Sequence, residues 1–313
     1  MEYLTFQASE TDAGKRLDAF LAENIADWSR VRLQKIVADG DVSVNENPAK
    51  SSYKVRGGDE IEIELPAPVI ETFEPENIQL DIVFEDEYLA VINKPEGMVV
   101  HPGAGVRNGT LANAVAFHFK LQVKNSKFEN RVGIVHRLDK DTSGLIVIAK
   151  NEDIHEQLSE QFRRREVFKS YVALVHGEIA EKSGKIDQPI AREKHNRTKM
   201  AIRGHGRAAL SLWAVRKRYE RFTSLNVEIK TGRTHQIRVH LASINHPVVG
   251  DETYNGGRDN NIKDEIVRNA VEDLGRFFLH AERLAFTHPK TAERLEFYAP
   301  LPEELMSFLQ LIK

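Results

Sequence analysis

The segment from Gly133 to Lys150 places ionisable side chains between two apolar stretches. It reads GIVHRLDKDTSGLIVIAK, and its ionisable residues before the second stretch are His136, Arg137, Asp139, Lys140 and Asp141. The apolar run at 145–149 predicts a buried strand, and Asp139 lies on the connection that leads into it. Loops held by a rigid strand often carry catalytic groups, although an aspartate in a turn more often only caps that turn. A carboxylate beside cations stays ionised, which suits a nucleophile or an electrostatic stabiliser.

A second polar cluster opens a predicted helix in TGRTHQIRVHLA, residues 231–242. The positive end of a helix attracts anions, and Arg233, His235 and Gln236 fall in its first turn. Arg238 lies three residues after His235, so the two side chains can share a helix face. An ordinary amphipathic helix with a polar first turn is an equally good interpretation. His235 and His240 are five residues apart, which is poor spacing for a single metal ion.

Two further segments carry polar groups with an open interpretation. In EVFKSYVALVHG, residues 166–177, Tyr171 lies on one face of a predicted strand. It is either an aromatic residue of the core or a ring that faces a ligand. Residues 192–207 hold six basic side chains and one acid, which favours phosphate contact over a solvated hairpin tip. Lys94 ends another predicted strand in INKPEGMVVHP.

Composition bounds the class of protein. The chain has 313 residues and no cysteine, so disulfides, thiolate catalysis and zinc–thiolate sites are excluded and a reducing compartment, the cytoplasm, is expected. The N-terminal segment lacks the basic and apolar regions of a signal peptide, and no stretch approaches the roughly 20 apolar residues that span a bilayer. We therefore expect no membrane association.

The charge is unevenly distributed. The net charge is −3, yet residues 131–240 carry 23 basic and 13 acidic side chains, which leaves +10 in that segment and −13 in the rest. A basic middle in an acidic chain is either a solvated face or a cleft that binds phosphates.

The order of predicted elements indicates two domains. Residues 1–66 contain two short helices, the second capped by Ser29, followed by short alternating strands, and a linker rich in proline and acids follows at 67–77. Residues 78–313 read as α+β, because successive strands separated only by turns favour antiparallel pairing. The predicted strands of this part are 88–93, 144–149, 168–175, 208–219, 222–230, 277–286 and 294–299, and the predicted helices are 110–119, 153–164, 234–244 and 302–311.

Several of these motifs together resemble the RluA family of RNA pseudouridine synthases. The matching stretches are INKPEGMVVHPGAG (92–105), HRLDKDTSG (136–144), FKSYVALVHG (168–177) and GRTHQIRVHLASINHPVVGD (232–251). The N-terminal unit resembles an S4 RNA-binding domain through GKRLDAFL (14–21) and SRVRLQKIVADGDVSVNE (29–46). The combination is most similar to the subgroup that modifies large-subunit ribosomal RNA. The fold implied is the mixed, largely antiparallel pseudouridine synthase sheet, with a small N-terminal α/β domain.

The resemblance implies a role for each matching residue. Asp139 would be the catalytic aspartate, Arg238 its basic partner, and Tyr171 the ring that stacks on the target base. Arg137 would enter the RNA helix as the base is flipped, and no cofactor or metal would be needed. Further substrate contacts are expected from His136, Leu145, Arg233, His235 and Gln236, and RNA-backbone contacts from Arg30, Arg32, Lys35, Lys94, Arg192, Arg197 and Lys199.

The expected partner is RNA, foremost large-subunit ribosomal RNA or its precursor, and the expected state is a monomer. The same chemistry on tRNA or another RNA is one alternative, and a non-catalytic RNA-binding protein of ribosome assembly is another. A glycoside hydrolase that pairs Asp139 with Asp141 is a third, which the basic surroundings disfavour.

Overall fold

In the computed structural model the described residues are 2–26, 28–65, 74–103, 106–121, 132–193, 196 and 199–312. The helices are α1 (Leu17–Asn24), α2 (Arg30–Ala38), α3 (Leu111–His118), α4 (Glu152–Arg164), α5 (Gln236–Ser243), α6 (Glu265–Leu274) and α7 (Glu303–Leu311). The strands are β1 (Glu2–Gln7), β2 (Val42–Val44), β3 (Asn47–Pro48), β4 (Glu60–Leu65), β5 (Ile82–Glu85), β6 (Leu89–Lys94), β7 (Ser143–Ala149), β8 (Phe168–His176), β9 (Ser183–Asp187), β10 (Ile190–Arg192), β11 (Met200–Ile202), β12 (Leu210–Arg218), β13 (Phe222–Ile229), β14 (Leu279–Thr287) and β15 (Arg294–Tyr298).

The chain divides into two units. The first contains Met1–Pro68 together with Pro189–Arg207, and the second contains Val69–Gln188 and Ala208–Lys313. The segment 189–207, which the sequence assigns to the second domain, therefore groups with the first unit. The predicted linker at 67–77 falls largely outside the described residues, and the domain boundary there stays a prediction.

The first unit is a small sheet covered by two helices. Its strands run in the order β1-β4-β2-β3, and the pairs are antiparallel. The second helix begins as predicted, because the Ser29 hydroxyl accepts a hydrogen bond from the Arg32 amide. Apolar residues at helical spacing on α1 and α2 pack against alternate residues of β2 and β4, including Leu17, Leu21, Leu33, Val44 and Ile61.

A short hairpin, β10 and β11, completes this unit. Arg192 lies within 3.4 Å of the Glu64 carboxylate, and Arg207 lies within 2.8 Å of Asp41. The guanidinium of Arg192 also lies over the Tyr3 ring, 5.7 Å from its centroid. Arg192 of the hairpin and Arg207, which follows it, therefore pair with acids of the N-terminal segment.

The second unit is built on a nine-stranded sheet. Its main strand order is β5-β6-β7-β14-β8-β13-β12-β9. Strand β15 pairs with the end of β14 that does not pair with β7. Among the described strands of this sheet, only β7 and β14 pair in parallel, so the expected mixed and largely antiparallel α+β fold is confirmed. Both faces of the central strands are apolar, and α3, α5, α6 and α7 contribute to the larger of two cores.

Candidate active site

The acid of the HRLD motif and the arginine of α5 meet, although 99 residues separate them in sequence. Asp139 lies on the connection into β7, and its side chain is 18% exposed. The Nη1 of Arg238 donates to its Oδ2 at 3.2 Å. The described residues make no hydrogen bond to Oδ1 of Asp139, so that oxygen can approach a reacting group.

Arg238 is held mainly by a second carboxylate. Its Nε and Nη2 donate to the two oxygens of Asp251 at 2.7 and 2.8 Å, and Asp251 is 1% exposed. The guanidinium also lies 4.2 Å from the centroid of the Phe277 ring. Burial opposes the charge of Arg238, but the hydrogen bonds and charges of Asp251 and Asp139 together raise its pKa. Arg238 is therefore a fixed cation that is aimed at Asp139 by Asp251.

Tyr171 lies on β8 and is buried. Desolvation raises the pKa of its phenol strongly, and the negative charge of Asp139 raises it further. The effect of Asp139 means that the ring and the carboxylate are close enough to interact. Tyr171 therefore stays protonated at neutral pH and presents a phenol, not a phenolate.

Lys94 supports the loop that carries Asp139. It ends β6 with 0% exposure, and its ammonium donates to the carbonyls of Pro95, Met98 and Lys140 at 2.6, 2.9 and 3.0 Å. Burial, and then the nearby charge of Arg276, lower the pKa of Lys94 to about 7. An RNA-backbone contact, which the sequence predicts for Lys94, requires an exposed side chain. The Lys94 side chain instead turns inward and donates to three backbone carbonyls.

The start of β7 is fixed by a buried polar cluster. The Ser143 hydroxyl lies 2.9 Å from Nδ1 of His280 and accepts from Nη2 of Arg276 at 3.0 Å. Gly144 follows with φ of 111°, and a Cβ at this position would lie 2.3 Å from the carbonyl oxygen of Ala281. The close approach of β14 therefore requires glycine directly after the loop that carries Asp139.

His136 supports the same loop from its other end. Its ring stacks on Phe162 with centroids 4.6 Å apart, and its Nε2 accepts the amide hydrogen of Val147 at 3.0 Å. Burial, and then the charge of Lys169, lower the pKa of His136 to about 3. The imidazole is neutral and carries its proton on Nδ1, whereas the next side chain, Arg137, is exposed.

The first turn of α5 is less open to anions than its sequence predicts. The Gln236 amide oxygen accepts from the Thr231 hydroxyl and the Arg233 amide, and its nitrogen donates to the Leu210 carbonyl and Ser211. Gln236 therefore ties the loop to β12. His235 has a left-handed backbone, its Nδ1 lies 2.8 Å from the Tyr254 hydroxyl, and burial lowers its pKa.

The other predicted contacts lie at three places. Leu145 is buried on β7 in the smaller core of this unit. In the first unit, Arg30, Arg32 and Lys35 are exposed on α2, with Arg30 3.2 Å from Asp18 and Arg32 stacked on Trp28. Arg192 is paired as described above and Lys199 is partly exposed beside β11, whereas Arg197 lies outside the described residues.

Sequence reasoning missed Asp251, Tyr254 and Lys169. Asp251 stands at the end of the quoted motif stretch, after a glycine, where an acid normally indicates only a turn. The segment 255–261 contains the 3-10 helix Asp259–Asn261, and Asp259 lies 2.7 Å from Nε2 of His176. The described residues contain no group of three or more histidines and acids able to hold a metal, and no helix among them could span a bilayer.

Sequence comparison identifies the class to which this fold and site belong. Residues 88–243 match the family described as RNA pseudouridylate synthase, and residues 15–61 match the S4 domain. The chain belongs to the RNA pseudouridylate synthase family, is an RNA pseudouridine synthase with an N-terminal S4 domain, and has RNA as its partner.

Relatives match nearly the whole chain. It is 40% identical over 310 residues to the uncharacterized RNA pseudouridine synthase YlyB of Bacillus subtilis, covering 99% of this chain and 98% of that protein. It is 41% identical over 314 residues to the ribosomal large subunit pseudouridine synthase D of Pasteurella multocida, covering 99% and 95%. Among solved structures, human RNA pseudouridylate synthase domain containing 1 superposes with a TM-score of 0.55 at 26% identity, covering 76% of this chain and 87% of that one.

Proposed function

We propose that this enzyme converts specific uridines of large-subunit ribosomal RNA, or of its precursor, to pseudouridine, with Asp139 as the catalytic carboxylate. The observation that carries the assignment of Asp139 is its ion pair with the buried Arg238, beside a buried tyrosine. The ribosomal substrate is supported by the name of the Pasteurella relative, which matches this chain from end to end. A cytoplasmic monomer without membrane attachment, with an S4 domain at 1–66 and a catalytic domain at 78–313, fits this role.

The reaction is an isomerisation that needs no external reactant. The bond between C1′ of the ribose and N1 of uracil breaks, the base turns, and a bond forms between C1′ and C5. The hydrogen on C5 is lost and N1 gains one, so the atoms balance. Oδ1 of Asp139, to which the described residues donate no hydrogen bond, supplies negative charge at the reacting sugar and base, while Arg238 holds the other oxygen and so fixes the direction of the carboxylate.

The target base must leave its stack before it can reach Asp139, which costs a few kcal/mol. Arg137 is exposed beside Asp139 and can occupy the space that the base leaves in the RNA. Tyr171 offers an aromatic face to the flipped base, as RNA-binding proteins commonly do. Because its phenol stays protonated, its hydroxyl acts as a hydrogen-bond donor when the base enters.

The test is pseudouridine mapping of ribosomal RNA and tRNA from cells that lack the gene. We expect large-subunit sites to disappear, to return with the wild-type gene, and to stay absent with Asp139→Asn. Asp141→Asn is the matched control, because it removes the other acid of the same loop and should restore the sites. Loss of tRNA sites alone would keep the chemistry and overturn the substrate. Rescue by Asp139→Asn would refute the catalytic aspartate and favour an RNA-binding assembly factor, while equal failure of Asp141→Asn with RNA binding intact would favour paired carboxylates.

A further inference from the structure

Lys169 is a buried lysine next to the candidate site that the mechanism above does not use. It lies on β8, is 8% exposed, and precedes Tyr171 by two residues. Side chains two apart on a strand point to the same face of the sheet. The amine of Lys169 therefore lies on the face of the sheet to which the Tyr171 ring points.

No carboxylate of the described residues forms an ion pair with Lys169, and none of their polar groups accepts a hydrogen bond from it. Its Nζ lies 5.2 Å from the centroid of the Phe162 ring. Lys94, the other buried lysine of this unit with a depressed pKa, has three carbonyl acceptors. Burial of a lysine normally requires such partners, so an unpaired buried amine indicates that a partner is supplied from outside the protein.

The surroundings of Lys169 are positive. Burial, and then the charges of Lys230 and Arg233, lower the pKa of Lys169 to about 8. Lys230 follows the end of β13, which pairs with β8, and Arg233 lies in the loop before α5. Lys230 forms an ion pair with Glu228, but its charge and that of Arg233 still act on Lys169, so a bound anion would offset the cost of burying the Lys169 amine.

We propose that Lys169 is the centre of a phosphate subsite that binds one of the two internucleotide phosphates flanking the target uridine, with Lys230 and Arg233 adding positive potential. This inference rests on the proposed function, because it requires the target nucleotide to lie against Tyr171 and Asp139. A phosphate is the anion that RNA brings closest to a flipped base. Once bound, it is the counter-ion that the described residues do not supply to Lys169.

The test uses the full-length enzyme and a short hairpin RNA with one uridine that the wild-type enzyme converts. Each flanking linkage is replaced in turn by a neutral methylphosphonate, and a third RNA carries the replacement at a remote linkage. For the wild type we expect one flanking replacement to weaken binding about ten-fold, the size of one charge-assisted hydrogen bond. Lys169→Met should weaken binding of the unmodified RNA by a similar factor and lose sensitivity to that replacement.

Two further variants test whether the positive charge at position 169 is what binds the phosphate. Lys169→Arg keeps the charge and should retain most of the wild-type sensitivity to the flanking replacement. Lys185→Met removes an exposed lysine from strand β9 of the same unit and should behave as the wild type. Thermal unfolding of each variant shows whether it is folded, and if Lys169→Met fails to fold, Lys169→Gln takes its place.

Three outcomes would overturn the subsite. In one, neither flanking methylphosphonate affects the wild type more than the remote one does. In another, Lys169→Met and the wild type lose the same factor on the same replacement. In the third, Lys169→Arg is folded but loses RNA binding and the sensitivity to the flanking replacement as fully as Lys169→Met does. Absence of conversion of any RNA by the wild type would instead count against the proposed function.

Discussion

At the scale of single residues, the main feature of the site is that Arg238 binds two carboxylates with different numbers and lengths of hydrogen bonds. Asp251 receives two short hydrogen bonds from Arg238, and Asp139 receives one longer bond. The two hydrogen bonds to Asp251 therefore position the arginine independently of Asp139. Arg238 could be predicted from the sequence because its motif is specific, whereas Asp251 needs a tertiary contact across a turn to be recognised.

Asp251→Asn tests this positioning role. The amide keeps the shape of the side chain but removes the charge that opposes the buried Arg238, so we expect unfolding to become easier by about 3 kcal/mol. We also expect kcat to fall about ten-fold or more, with a smaller change in KM, because Arg238 no longer has a fixed direction. Single-turnover kinetics and urea unfolding measure the two effects. Asp187→Asn, at an exposed acid of β9, is the control, and equal kcat values in both variants would contradict the role of Asp251.

At the scale of elements, the parallel pairing of β7 with β14, the one such pairing among the described strands of this sheet, places the loop that carries Asp139. Strand β14 enters between β7 and β8, and its register aligns His280 with Ser143 and Ala281 with Gly144. The bounds of α3, α4, α5 and α7 could be predicted to within two residues from their apolar spacing and caps. The insertion of β14 could not, because strand order depends on contacts between segments more than 100 residues apart. Helix α6 and the hairpin β10–β11 could not be predicted either, because short or polar segments have only a weak periodicity of apolar residues.

Gly144→Ala should break this arrangement. The backbone at φ of 111° is outside the region that alanine adopts, and the added Cβ would meet the Ala281 carbonyl. We expect a loss of about 3 kcal/mol in the free energy of unfolding and a lower kcat, because Asp139 is carried on the same connection. Gly275→Ala is the matched control, since its φ is 60° and a Cβ added there would have no neighbouring atom within 4 Å, so it should cost about 1 kcal/mol. Similar losses at both glycines in thermal or urea unfolding would mean that the contact with β14 is not what requires glycine.

At the scale of the whole molecule, the folded chain binds fewer protons than the unfolded chain near neutral pH. Burial lowers the pKa of His136 to about 3 and also lowers those of His235, His240 and His280. The pKa values of Lys94 and Lys169 are lowered to about 7 and about 8, again first by burial. A fold that buries these lysines and histidines therefore has a stability that depends on pH.

The sign of that dependence follows from proton linkage. Each of these histidines has a lower pKa in the folded chain than in the unfolded chain. Below about pH 6.5 the unfolded chain therefore binds more protons than the folded chain does, and the free energy of unfolding falls on acidification. The two lysines also have a lower pKa in the folded chain than their value of about 10.4 in the unfolded chain. Between these pKa values the unfolded chain again binds more protons, so the free energy of unfolding continues to rise above pH 7. We therefore expect the larger unit to become steadily more stable from pH 5 to pH 9.

His136 should account for about 2 kcal/mol of the loss between pH 7 and pH 5. Urea unfolding at pH 5, 6 and 7 can be followed by the fluorescence of Trp213 in a Trp28→Phe background, because these are the two tryptophans of the chain. His136→Gln, whose amide oxygen can still accept from Val147, should flatten the pH dependence by that amount. His118→Gln, at an exposed histidine of α3 that lies 3.7 Å from Glu85, is the control and should change the pH dependence less than His136→Gln does. If both variants show the wild-type slope, the imidazole of His136 is not held neutral in the folded protein, and its stacking on Phe162 does not exclude the proton.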